Sequence, residues 1–572
     1  MVKSLRIVSL LLVFVLTITA FSACGPKTPS VSGGEEDFYY QNFALNISTR
    51  KITVRFGLLN RSTNLFEPGE EIPYYLTLKG PEFEGKSVAV TFKNNEFAVD
   101  ETKNHLIEFG EDGVFEERGT FKGSNNGVYT LQMTVAGIPN EMSFDVGVVP
   151  KAKQANDNFL FGMQPYYTHL SYSASRRIDG LTIEDSKKAI LDTIEWLGCN
   201  LIREEGVSWS NMQPTADATM DFSKMDQDID AFEARNMKLI WIIGHSTEWA
   251  VMQKYASKVS GNTWAYPPEK KYWDARLTAI ANHYKDRDSI IYEIWNEADW
   301  EFFKGTEEEY LDLLDSACRI LKGANKNNFV IPSALVSNWE TALNPEVFAK
   351  DSMKYYSKYK ELYDLGLIDT VNIHAHALFV PETFFASVQR LQDRLERAKF
   401  TKRPEKIIVS EAGIWSKEDD PQAAGLMSKI LWYRANGYGG HVAYAFRPEA
   451  AGRDDNLTWE MFDSHLQPRK SAIAYATLIN FIGNSEFKET IPAERDYTFA
   501  DIYYNEGKSI VPLYAVTDHR ATLNIKTNTP YKVYDIYGNE GKVKDTNAYD
   551  VNKAVTYLVF DGKVTPADFS WR

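Results

Sequence analysis

A chain of 572 residues, 44% hydrophobic and 13% aromatic, holds enough apolar material for several buried cores, which excludes a disordered protein and points to roughly two to four domains. Its 63 Lys and Arg stand against 78 Asp and Glu, a formal charge of -15 with no basic block. Non-specific attraction to nucleic acid or acidic polymers is excluded on that ground.

At the N-terminus, Lys3 and Arg6 precede an apolar run from Ile7 to Phe21 and then "FSAC", ending at Cys24. A charged start, a run too short to span a bilayer comfortably and small residues before a cysteine describe an export signal over residues 1–24. It resembles a bacterial lipoprotein signal, with Phe21 where Leu is usual. That resemblance implies that Cys24 becomes the lipidated first residue of an exported chain, anchored to a bacterial membrane and facing the periplasm or cell exterior. The other reading is an ordinary cleaved signal with an incidental cysteine. Residues 25–37, rich in Gly, Pro, Ser and charge, read as a flexible tether. No later segment is long and apolar enough to span a membrane.

Residues 38–150 show short alternating strands ("KITVRFGLL", "IPYYLTLKG", "KSVAVTF", "GVYTLQMTV", "MSFDVGVV") broken by turns, the pattern of an immunoglobulin-like β-sandwich. Such a domain either binds sugar or braces its neighbour. From Phe159 the rhythm becomes strand, helix, strand, helix. Eight apolar strands are predicted, at 159–164, 200–204, 238–245, 289–297, 329–334, 369–376, 406–413 and 440–447. Amphipathic helices separate them, as at Thr306 to Leu321, where Thr306 and Glu309 form a capping box. Eight such units over residues 155–483 predict a central (β/α)8 TIM barrel of the α/β class, with its active site at the C-terminal strand ends. Alternating strands return over residues 487–572 as a small C-terminal β-domain. Cys199 and Cys318, far apart in the pattern, are expected to be isolated buried thiols rather than a bridge or a metal site.

Polar residues end two of the apolar barrel strands. "IYEIWNE" closes strand four with Asn296 and Glu297, and "IVSEAG" closes strand seven with Glu411. Strands four and seven lie on opposite sides of a barrel mouth, so the two carboxylates can face each other across a bound substrate. Cleavage of a glycosidic bond needs that arrangement: one carboxylic acid protonates the leaving oxygen while the other carboxylate attacks the anomeric carbon.

The barrel resembles clan A of the glycoside hydrolases, and most closely family 39 or a near neighbour. The resemblance implies that Glu297, after Asn296, is the acid/base and Glu411 the nucleophile, with Arg203 on strand two and His374 on strand six beside them. "HSTEWA", His245 to Ala250, resembles the loop after strand three, although Thr247 stands where a proline is usual. Two departures are His376, where a tyrosine often follows the strand-six histidine, and Phe446, where strand eight usually carries tryptophan. Trp249, Trp415 and Phe446 are the aromatic candidates for stacking on sugar, with His245 and His376 at the same mouth.

Other readings stand beside these. "HAH" at residues 374–376 puts two histidines on one side of a strand, a metal-ligand pattern, yet strand one lacks the matching pair of metal-dependent barrels. Glu293 reads as a paired residue of the barrel interior sharing a face with Trp295 and Glu297. The expectation is a retaining glycosidase acting on an oligo- or polysaccharide with no metal or organic cofactor. The alternative is a non-catalytic carbohydrate-binding surface lipoprotein on the same scaffold.

Overall fold

The computed structural model describes residues 53–572 apart from 60, 140, 179, 260–262, 337–350, 449–456, 494–496 and 517–520. The export signal, Cys24 and the tether lie outside the described residues.

Eight parallel strands succeed one another along the chain, namely Leu160–Met163, Leu201–Glu204, Lys238–Ile243, Ile290–Ile294, Phe329–Pro332, Asn372–His374, Ile408–Ala412 and Gly440–Ala443. The first pairs with both the second and the eighth, so the ladder runs 5-4-3-2-1-8-7-6. Asp369 holds the remaining seam: its N–H donates to the Val330 carbonyl at 2.9 Å and its carboxylate accepts from the Val330 N–H at 2.7 Å. This is the (β/α)8 barrel that the sequence predicts. Its strands are apolar along their length because helices cover the outside and side chains fill the inside.

The helix Glu307–Ala324 shows how the shell forms. Thr306 and Glu309 make the expected capping box, and Tyr310, Leu313, Leu314, Ala317, Cys318 and Leu321 are buried on one face. Cys199 and Cys318 are both free and buried.

Inside the barrel, Leu160, Leu201, Ile240, Ile291, Ile331, Ile408 and Val442 come from seven different strands and form one apolar layer. Two residues further along a strand the side chain returns to the same face. On three of these strands that next position is Arg203, Glu293 or Ser410, all wholly buried. The barrel therefore changes from hydrocarbon to charge within one side-chain layer, just below its mouth.

The N-terminal domain is a sandwich. A three-stranded sheet (Thr53–Leu58, Glu71–Lys79, Val114–Lys122) meets a five-stranded one (Leu65–Phe66, Glu141–Val148, Gly127–Val135, Ser87–Asn94, Val99–Leu106). The pairs Phe56–Phe144 and Phe92–Phe121 bridge the two sheets with ring centroids 5.0 and 5.2 Å apart. The C-terminal domain has a six-stranded sheet, Glu486–Thr490 to Glu540–Gly541 at its edges, and a three-stranded one of Ala521–Ile525, Ala548–Val551 and Phe569–Trp571. Polar contacts tie both to the rest of the chain. The Asp145 N–H donates to Gln467 at 2.6 Å, and Asn126 and Asn539 exchange hydrogen bonds at 2.8 and 3.0 Å.

Candidate active site

Strand four ends at Ile294, earlier than its sequence suggests, because Trp295 and Glu297 take left-handed φ values of 72° and 45°. Tyr166 and His245, past strands one and three, do the same at 56° and 54°. Non-glycine residues held there cost roughly 1–3 kcal/mol each and cluster at functional sites. The turn breaks the expected alternation. Trp295 does not share a face with Glu293 and Glu297; it is fully buried against Trp273 and Phe303 and donates its indole N–H to the Phe302 carbonyl at 2.8 Å. Glu297, freed from the strand, reaches strand six, where an oxygen lies 2.7 Å from His374 Nδ1.

Arg203 organises the floor of the mouth. Wholly buried, its Nε and Nη2 donate to the two Glu293 oxygens at 2.7 and 3.2 Å. Its Nη1 donates to Glu411 Oε2 at 2.5 Å and to Gln164 at 2.9 Å. Nη2 also donates to Asn296 Oδ1 at 2.7 Å and lies 3.3 Å from His374 Nε2. Asn372 donates to Glu293 at 2.7 Å, so Glu293 is the paired interior residue the sequence suggests. His376 Nε2 sits 3.0 Å from the other Glu411 oxygen. Thus Arg203, Asn296, Glu297, His374, His376 and Glu411 converge. The guanidinium carries only N–H donors, so His374 Nε2 must turn a lone pair toward it. The neutral ring then carries its proton on Nδ1 and donates it to Glu297 Oε1, which leaves Oε2 to hold the carboxyl proton.

The two glutamates are pushed in opposite directions. Burial raises the Glu297 carboxyl well above the usual range, and the negative charge of Glu411 and that of Asp299 raise it further. Burial pushes Glu411 up as well, but His374, the His376 hydrogen bond and Arg203 outweigh it and hold Glu411 well below the usual range. Burial brings His374 down to about 4, with the Arg203 charge acting in the same direction. At neutral pH His374 is therefore uncharged, and the standing cation beside Glu411 is Arg203.

The remaining expected residues are spread around the rim. His245 packs against Trp264 and Trp295 and lies 3.6 Å from Glu205, a wall position rather than a partner of the carboxylates. Trp249 is half-buried between Trp209 and Tyr272, both at 5.3 Å, so much of its ring is loop packing. Trp415 is 56% exposed just beyond strand seven. Phe446 is misplaced by the sequence reading: strand eight ends at Ala443, and Phe446 is fully buried against Phe462 at 4.9 Å. Tyr444 and Trp459 take its place, with rings 5.1 and 5.2 Å from His376.

Several contributors escape the sequence. Gln164 and the Tyr444–Trp459 pair do, and so does Lys429, whose buried ammonium donates to the carbonyls of Ala375 at 2.5 Å and Gly413 at 2.9 Å. It thereby ties the ends of strands six and seven behind His376 and Glu411. A lysine within "AAGLMSKILWY" is the one sequence signal for it. Gly413 is required by close approach, since a Cβ there would collide with the Tyr444 carbonyl.

Glu297, His374, His376 and Glu411 each bring a donor atom within 4.8 Å of the others, a set of nitrogen and oxygen donors that a divalent metal accepts. The Arg203 guanidinium, 2.5 Å from Glu411, already supplies positive charge there and disfavours a second cation.

Residues 160–355 match the family described as cellulase, glycosyl hydrolase family 5, which is a clan A family. Among solved structures, a family 39 glycoside hydrolase from the gut symbiont Bacteroides cellulosilyticus WH2 is similar at TM-score 0.63 and 16% identity, over 88% of this chain and 100% of that one. A GH30 endoxylanase from Clostridium papyrosolvens C71 aligns at TM-score 0.43 and 11% identity, over 72% of this chain and 98% of that one. No curated protein matches the sequence. The matched segment and the fold define a glycoside hydrolase domain of the clan A type. The chain is a glycosidase, a hydrolase that acts on carbohydrate.

Proposed function

We propose that the chain is a retaining glycoside hydrolase that cleaves O-glycosidic bonds of an oligo- or polysaccharide by double displacement. The supporting observation is that one oxygen of Glu297 and one of Glu411 lie within 4.8 Å, with opposite proton affinities. Retaining enzymes space their carboxyl groups about 5 to 5.5 Å apart, whereas inverting ones need about 6.5 to 9.5 Å to admit a water. Glu297 gives its proton to the glycosidic oxygen as Glu411 attacks the anomeric carbon. The alcohol leaves and a glycosyl ester forms on Glu411. Water, losing its proton to Glu297, then displaces the sugar and regenerates both groups. Asn296 and His376 contact the sugar, and Trp415 stacks on it.

Replacing Glu411 with Gly should abolish hydrolysis across a panel of neutral glycosides, and azide should restore a product of inverted configuration by entering from the vacated side. Wild-type turnover in Glu411→Gly would remove Glu411 from the nucleophile's role.

The chain is exported and held to a bacterial membrane by lipid on Cys24, a reading supported by "FSAC" after the apolar run. Cys24→Ser should then leave the detergent phase on partitioning; equal partitioning of both forms would refute the anchor.

A further inference from the structure

A groove of about 620 Å3 lies between the loops that leave strands six and seven, the helix Asp419–Ala435 and the C-terminal domain. Leu378 and Trp415 line it from the loops, and Asn552, Lys553 and Ala554 from the C-terminal domain. Leu378 is 45% exposed and Trp415 56%, unusual for large apolar side chains, and both stand on loops that leave the reacting strands. Leu378 follows His376 by two residues and Trp415 follows Glu411 by four. A fully extended chain spans at most about 3.6 Å per residue, so these side chains are rooted within about 7 and about 14 Å of the two site residues. Ser416 and Asp420 add polar groups beside the apolar ones. A flat ring flanked by hydrogen-bonding groups suits a sugar, which has apolar faces and a polar rim.

We infer that this groove is a distal carbohydrate subsite: it holds a part of a neutral oligo- or polysaccharide chain remote from the scissile bond, and the C-terminal domain supplies part of its lining. The inference rests on the glycosidase reading of the neighbouring site. It makes the substrate a chain rather than a small glycoside, and it makes the C-terminal domain part of substrate recognition.

The test uses the full chain with a graded-length series of neutral glucan, xylan, mannan and galactan oligosaccharides and the matching nitrophenyl monoglycosides. Two exposed lining positions from different parts of the chain are altered, Leu378→Asp and Ala554→Arg. For the wild type, kcat/KM should rise with chain length. Each variant should lose roughly tenfold on the longest chain cleaved, equivalent to about 1.4 kcal/mol, with less than about twofold change on the monoglycoside. Length dependence kept in both variants, or absent from the wild type, would overturn the subsite. Calorimetric binding of the same oligosaccharides to Glu411→Gln separates this from failure of the hydrolase reading. If nothing is hydrolysed yet both groove variants weaken binding about tenfold, the subsite stands without the chemistry; unaltered binding overturns it.

Discussion

Glu297 and Glu411 are the same residue at equivalent strand ends, 5% and 9% exposed, and yet one is built to keep its proton and the other to lose it. Burial acts on both alike, so it cannot be the source of the difference. Glu411 receives the Arg203 guanidinium at 2.5 Å and His376 at 3.0 Å, whereas Glu297 faces a neutral imidazole and the charge of Glu411 itself. In the mechanism proposed above, His374, His376 and the Arg203 guanidinium, all placed to one side of the mouth, are what set a nucleophile apart from an acid in two identical side chains.

The strongest way to break the comparison is to remove that arginine. Arg203→Ala should lower kcat/KM by roughly tenfold to a hundredfold, the rate equivalent of one charge-assisted hydrogen bond. The acid limb of the pH profile should move up as Glu411 loses its cation. Folding should suffer too, because Glu293 is left buried without its cationic partner, at about 3 to 5 kcal/mol by denaturant titration. Wild-type turnover with an unmoved acid limb would show that Glu411 draws its acidity from elsewhere.

A smaller effect sharpens the Glu297 side. Above the ordinary carboxylate range and below its raised value in the folded chain, Glu297 holds a proton only in the native state. The native state then binds more protons than the unfolded one, so stability must fall as pH rises through that window. Glu297→Gln should remove this slope and leave a variant relatively more stable toward the alkaline side. An identical slope in chemical denaturation of both proteins would mean that Glu297 is not raised.

Much of this was legible in the sequence, and the exceptions have a common cause. Where an apolar strand stops in Asn-Glu or Ser-Glu, the abrupt polarity marks the site, and Arg203, Asn296, Glu297, His374, His376 and Glu411 are brought together as expected. Alternation stops being informative where the strand stops. Beyond Ile294 the left-handed turns send Trp295 outward, and beyond Ala443 it is Tyr444, not Phe446, that meets His376. Strands Val99–Leu106 and Val114–Lys122 escaped because much of each is charged and exposed, which leaves little apolar alternation to read. Lys429 escaped because its partners are backbone carbonyls, which have no signature in a sequence.

In the double displacement proposed for this chain, the two carboxyl groups are too close for a water between them and differ in charge, so the reaction passes through a covalent intermediate on Glu411. Proton NMR of the first-formed sugar, recorded before mutarotation, tests it most directly. The first product should keep the anomeric configuration of the substrate; an inverted first product would rule out double displacement and reduce Glu411 to a base.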